Sequence, residues 1–217
     1  MASRAALQHD PDMTDGRTNL GLNTTVNLGW SYLNRGMLTE AEQCFRKNLL
    51  LSASTYENLG RSLLRQGKFE EALQNFLRAV ELYPDEAMYR DLVGNAYMEL
   101  NQFDKAIEAL EKSIELDPFY SLGHYDLGVV LSRIKGREAE ALKLFKHAIT
   151  LNPEGALPYY AMSCLYALQK RRKLALDYLL KSIERGYDDR EHIDNDHDLD
   201  TLREDPEFQK IMEKIKE

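Results

Sequence analysis

Five stretches of this chain repeat one another. NLGWSYLNRGMLTEAEQCFRKNL begins at residue 27 and NLGRSLLRQGKFEEALQNFLRAVELYP at 58. LVGNAYMELNQFDKAIEALEKSIELDP begins at 92, DLGVVLSRIKGREAEALKLFKHAITLNP at 126 and AMSCLYALQKRRKLALDYLLKSIERG at 161. Gly29, Gly60, Gly94, Gly128 and Ser163 mark one slot, at intervals of 31, 34, 34 and 35 residues by subtraction. A unit this short cannot bury an apolar face alone, so its copies must stack, each supporting the next. With 217 residues, long for one compact domain and short for two, the chain is constrained to an array.

Each unit reads as two amphipathic helices. In the first, large residues flank the small slot on one face: Leu28 and Tyr32, Leu59 and Leu63, Val93 and Tyr97, Leu127 and Leu131, Met162 and Tyr166. In the second, a small residue is followed four later by a large one: Ala41 and Phe45, Ala72 and Phe76, Ala106 and Leu110, Ala141 and Phe145, Ala175 and Leu179. Small opposite large lets paired helices approach and interdigitate. Gly36, Gly67 and Asn101 stand at the turns between paired helices, and Pro84, Pro118 and Pro153 end second helices. At the first junction, which lacks the proline, Ser54 and Glu57 read as a capping box that starts the next helix. The fourth unit has one extra residue in its RIKGRE turn, and the fifth lacks the usual glycine and proline.

This pattern resembles the tetratricopeptide repeat, a helix-turn-helix unit. The resemblance implies an all-α, right-handed superhelix of about five repeats, with first helices lining a groove. The expected organisation is a flexible segment 1–18, repeats over 19–187, and an acidic linker with a capping helix over 188–217.

The net charge of −8 is concentrated at one end. Residues 188–207 hold ten acids and two bases, which is −8, so the remaining 26 acids and 26 bases cancel. A neutral body with an acidic end disfavours nucleic-acid and anionic-lipid partners. The opening MASRAALQHDPDMTDGR has no apolar segment of leader length, and no stretch approaches a membrane span. Cys44 and Cys164, one in each half, form neither a CxxC site nor a disulfide framework. The expectation is a cytoplasmic protein, monomeric and without membrane insertion.

DNDHDLDTLRED, residues 194–205, has the alternating acids of a calcium loop. Such a loop needs Gly at its sixth position and a bidentate Glu at its twelfth. Counting from Asp194, those positions hold Leu199 and Asp205. Leu199 and Leu202 are at a helix-packing interval, and Asp205-Pro206 reads as the N-cap and first residue of a closing helix to about Lys216. Its inner face is Phe208, Ile211 and Ile215. The expectation is a structural cap, with no metal and no cofactor; the wording also resembles the tail after the last repeat of bacterial tetratricopeptide proteins. His192 and His197, five apart, do not share a helical face.

No GxGxxG, GxxxxGK, GxSxG or HExxH is present, so the expected class is binding and not catalysis. Helical spacing from the core slots places Trp30, Asn34, Arg61, Arg65, Met88, Asn95, Tyr125, Arg133 and Tyr160 toward the groove, with Leu157 and Cys164 also in the fifth unit. Aromatic, Met and Arg residues are those enriched in interface hot spots. The expected function is a scaffold or adaptor that holds a partner peptide or helix. The carboxylate clamp by which related co-chaperones hold acidic chaperone tails is not expected: its positions are Val26, Trp30, Asn58, Met88 and Leu92, and only Asn58 matches. The alternatives are an acidic, divalent-metal-responsive protein acting through residues 188–205, or a non-catalytic subunit of a larger complex.

Overall fold

In the computed structural model, residues 27–47 and 52–215 are described, and they are helical hairpins joined by short turns. The expected flexible segment 1–18 lies outside them. The chain divides into two compact units at Leu82/Tyr83.

The first unit contains α1 (27–34), α2 (Leu38–Lys47), α3 (Ala53–Arg65) and α4 (Phe69–Leu82). Phe45 and Phe76 are fully buried beside Ala41 and Ala72. A Cβ on Gly29 would lie 2.7 Å from Phe45 Cε1, and one on Gly60 would be 2.9 Å from Phe76 Cζ with other ring atoms closer still. Only a bare backbone admits the ring there. Leu28, placed by its spacing on the core face, is instead exposed, in the first of the described repeats.

The start of α3 differs from the capping box. Its N-cap is Ser52, whose extended backbone lets the hydroxyl accept from the Thr55 N–H at 3.3 Å. Ser54 is already inside the helix, and Glu57 is drawn to Arg61 one turn on, at 2.9 Å. The cap forms earlier because Ser52 has the extended φ/ψ that an N-cap requires.

The second unit contains α5 (Ala87–Glu99), α6 (Phe103–Leu116), α7 (Ser121–Ser132), α8 (Glu138–Leu151), α9 (Ala156–Leu168), α10 (Arg172–Glu184), α11 (Arg190–Asn195), a 3-10 helix (His197–Leu202) and α12 (Pro206–Met212). Helices pair as α5 with α6, α7 with α8 and α9 with α10, while the first helices α5, α7 and α9 neighbour one another. Leu110 and Phe145 fill the slots opposite Gly94 and Gly128, and Leu179 and Ser163 are buried at the corresponding positions of the fifth repeat. Ser163 tolerates its hydroxyl because that group donates to the Ala175 carbonyl at 2.8 Å.

Turns explain the punctuation. Gly36, Gly67, Gly136 and Gly186 have φ of 72° to 92°, and Asn101 and Lys170 adopt 57° and 58°. The fifth repeat keeps the left-handed turn although its residue there is lysine. Asp117 and Asn152, each before a proline, have β-like backbone, so α6 and α8 stop where proline forbids continuation.

The C-terminal segment packs onto this unit. The 3-10 helix lies on α9 and α12 lies on α10. Leu199, Leu202, Phe208, Ile211 and Ile215 are all buried. Asp205 is the N-cap of α12, accepting from the Glu207 N–H at 2.9 Å, with Pro206 next. The helix is shorter than the Lys216 end expected, because it passes into turns at Glu213, where Ile215 still buries its side chain. Arg172 of α10 grips Asp205 through two hydrogen bonds and reaches Glu207 at 3.3 Å.

Candidate functional site

The second unit carries a cavity of about 600 Å³ bounded by α7, α9 and the acidic segment. Tyr125, Val129, Ser132 and Arg133 come from α7; Leu157, Tyr160, Ala161, Cys164, Leu165 and Leu168 come from α9. These positions recur at three- and four-residue steps, one face of each helix. Tyr187, His192, Asp196 and Asp198 close the side, and Phe145 lies beneath.

The wall is organised around Asp196. One of its oxygens accepts the Tyr160 hydroxyl at 2.6 Å and lies 3.5 Å from the Cys164 sulfur. The other accepts the Asp198 N–H at 2.9 Å, which makes Asp196 the N-cap of the 3-10 helix. The Arg203 guanidinium donates to its carbonyl at 2.7 Å. Tyr160 stacks on Tyr187 with ring centroids 4.5 Å apart, and the His192 ring stands 5.5 Å from Tyr160.

These surroundings set the protonation states. Burial, then Asp196 and Asp198, pushes the Cys164 thiol up, so it stays protonated and is no activated nucleophile. Burial also raises the Tyr125 hydroxyl, with Asp126 adding to it, and raises Tyr160, with Cys164 and Asp196 adding to that. Tyr187 is pushed up to about 12, chiefly by burial. Asp198, exposed on its outer side, is raised by desolvation where it meets the cavity wall and then by the neighbouring Asp196 carboxylate. Two carboxylates beside low-polarity walls favour a cation between them.

Cys164, Asp196 and Asp198 are a group whose possible metal-ligand atoms lie within 4.8 Å of one another. The other acids of the segment are spread over successive short helices and do not form one loop. Asp194 pairs with Arg190 at 3.5 Å, Asp200 with Arg203 at 2.8 Å, and Asp205 caps α12.

The predicted groove residues divide between the two units. In the first, Trp30 is 37% exposed and meets Phe45 edge-on at 6.5 Å, and Asn34 is exposed. Arg61 is held by Glu57, while Arg65 donates to the Leu33 carbonyl at 3.4 Å. In the second, Met88 is half-buried, and the Asn95 amide donates to Asp126 at 3.2 Å and Asp91 at 3.4 Å. Tyr125, Arg133 and Tyr160 come together in the cavity, Tyr160 being only 7% exposed. Arg133 is exposed, with its Glu99 partner 3.9 Å away. Helical spacing did not anticipate that Tyr187, Asp196 and Asp198 join them. The tyrosine at 187 and the alternating acids were visible, but nothing local says which of them turns back onto α9.

No helix among the described residues is long and apolar enough to cross a membrane. A plant relative, the CTR9 homolog of Arabidopsis thaliana, is 33% identical over 101 residues, 46% of this chain and 9% of that protein. The protein O-mannosyl-transferase Tmtc2 of Drosophila melanogaster is 33% identical over 79 residues, 36% of this chain and 8% of that protein. The chain thus spans less than a tenth of either relative's length. The crystal structure of TTC0263, a thermophilic TPR protein of Thermus thermophilus, superposes with a TM-score of 0.72 at 21% identity, covering 78% of this chain and 94% of that one. Three tetratricopeptide-repeat family models match residues 26–55, 51–118 and 93–156. Together they cover residues 26–156 of 217, and the chain belongs to the tetratricopeptide repeat family.

Proposed function

We propose that this protein is an interaction scaffold or adaptor, without a catalytic step of its own, that binds a peptide or helical segment of a partner protein through α7 and α9. The observation that carries this is the cavity of about 600 Å³, which combines an apolar floor with a few polar side chains at its wall and rim. Its size falls in the range of about 300–1,000 Å³ typical of ligand sites. Val129, Leu157 and Leu168 supply apolar contact, the last two exposed, and Arg133, Asp196 and Asp198 supply orientation. The family supports protein partners in general, and the protonated Cys164 argues against thiol chemistry. Trp30, Asn34, Arg61 and Arg65 on the first unit, and Met88 and Asn95 on α5, are proposed as further contacts. Arg61 would have to exchange Glu57 for a partner group.

The test is selection from a random displayed peptide library on the immobilised chain, followed by affinity measurement on variants. Selected peptides are expected to lose about ten-fold or more on Val129→Arg, which crowds the cavity, as truncating a hot spot would. Circular dichroism shows whether the variant remains folded. Binding that is indifferent to both Val129→Arg and Leu157→Arg overturns the assignment.

A further inference from the structure

Resting on the peptide-binding reading above, we infer that the cavity wall made by Tyr160, Tyr187, Asp196 and Asp198 is a receptor for an arginine side chain of the partner.

The first observation is an imbalance of charge. Asp194, Asp200 and Asp205 are each paired with an arginine of the chain. Asp198, at the same cavity as Asp196, has no ion pair and no side-chain hydrogen bond among the described residues. Two carboxylates therefore face one lining arginine, Arg133, which stands 3.9 Å from Glu99 and whose charge also acts on Asp198. His192 lies 4.0 Å from Asp196 and adds charge only when protonated. A like-charged pair beside buried apolar groups is relieved by an incoming cation.

The second observation concerns aromatic faces. On the same α9–α10 hairpin and its turn the chain already seats cations on tyrosine rings, Arg171 over Tyr166 at 4.9 Å, Arg185 over Tyr159 at 4.2 Å and Lys181 over Tyr178 at 4.9 Å. Among the described residues no cation lies over Tyr125, Tyr160 or Tyr187; Tyr160 is buried with Tyr187 stacked on it, so the half-buried Tyr187 offers the accessible ring. Rings with acids beside them suit a planar, weakly hydrated cation that can stack and donate several hydrogen bonds together. An ammonium can also sit over a ring, but only guanidinium adds the planar fork that stacks and donates two parallel hydrogen bonds to a carboxylate. The half-buried Tyr187 and the exposed Asp198 keep the site open to a side chain arriving from outside.

The reading is tested without knowing the partner. The probe is N-acetyl-arginine amide, with N-acetyl-citrulline amide as its neutral isostere, titrated into the isotope-labelled full chain and followed by amide resonances. The arginine probe is expected to shift Tyr160, Tyr187 and Asp198 saturably, and the citrulline probe is not. Asp198→Asn, which leaves the Asp196 cap and its Tyr160 bond in place, is expected to weaken the arginine response about five-fold or more, since a charge-assisted pair is lost. The wild-type response should also weaken as salt rises from about 0.05 to about 0.3 M. Equal shifts from both probes, or an Asp198→Asn chain that responds like wild type, overturn the inference. So does a Zn²⁺ titration that shifts these resonances, is abolished by Cys164→Ser and finds the arginine probe silent, because the group is then a metal site. Library peptides that need the cavity but carry no arginine sink this inference alone; peptides indifferent to the cavity sink the reading beneath it.

Discussion

Phe145 occupies the space that a side chain on Gly128 would need: a Cβ there would lie 2.6 Å from the Phe145 ring. The two residues are 17 apart in sequence, whereas Gly29 and Phe45, Gly60 and Phe76, and Gly94 and Leu110 are each 16 apart. The additional residue sits in the RIKGRE turn, so the loop absorbs it and the helix contact is unchanged.

Gly128→Ala is therefore expected to cost about 1–3 kcal/mol by overpacking. In a Phe145→Ala background, which alone costs about 3–5 kcal/mol, the same alanine should be nearly neutral because the ring it would strike is gone. Urea denaturation of the four proteins measures the coupling. Additive losses would show that the two residues do not meet.

Lys170 holds φ of 58° where other repeats place Gly36, Gly67 or Asn101. Lys170→Gly relieves a left-handed lysine and is expected to stabilise by about 0.5–1 kcal/mol, the scale of single-residue backbone effects. For a chain of this size that is about 1–4 °C in Tm. Calorimetry that shows a lower Tm would contradict the strain.

His124 gives the stability a pH dependence of its own. Its Nε2 is 3.0 Å from the Pro118 carbonyl and so donates, leaving buried Nδ1 to take the added proton with the His147 ring 4.4 Å away. Burial lowers its pKa, and His147 contributes in the same direction. A lowered folded pKa means the unfolded chain binds the proton first, so stability falls as pH drops below about 6.5 and levels off below the folded pKa. The carboxylates Asp200 and Asp205, held down by Arg203 and Arg172, act only at lower pH. His124→Tyr copies Tyr159, which bonds the Pro153 carbonyl in the next repeat at 3.1 Å. Its Tm should vary less than that of wild type between about pH 7 and 5.5.

Removing residues 196–217 uncovers the surfaces of α9 and α10 against which Leu199, Leu202, Phe208 and Ile211 are buried. At about 1.5–3 kcal/mol for each large buried side chain, the expected fall in Tm is about 10 °C or more, with self-association in size-exclusion chromatography. A truncated chain that melts like the whole one and stays dispersed would show the acidic segment to be a free tail.

The repeat register and the paired helices could be read from the chain, as could the apolar spacing of Leu199, Leu202 and Phe208, which are buried. A 3.6-residue period and the match of small to large slots are local properties that each repeat enforces on its neighbour. Even so, Leu28 reads as core and is exposed. Ser54 reads as a cap and gives way to Ser52, because only backbone angles separate two nearby serines.

The candidate site was legible only in part. Tyr125, Arg133 and Tyr160 follow from helix geometry, since all three project from first helices at fixed spacing. What surrounds them does not: Asp196 lies 36 residues beyond Tyr160 and 32 beyond Cys164. Periodicity carries no information across that distance, because the segment between is free to leave the repeat axis at any angle. Repeat spacing alone set the array and the apolar face of the closing segment. Packing of that segment on α9 and α10 turned its acids into the wall of a cavity, because burying Leu199 and Leu202 leaves Asp196 and Asp198 facing the tyrosines and the thiol.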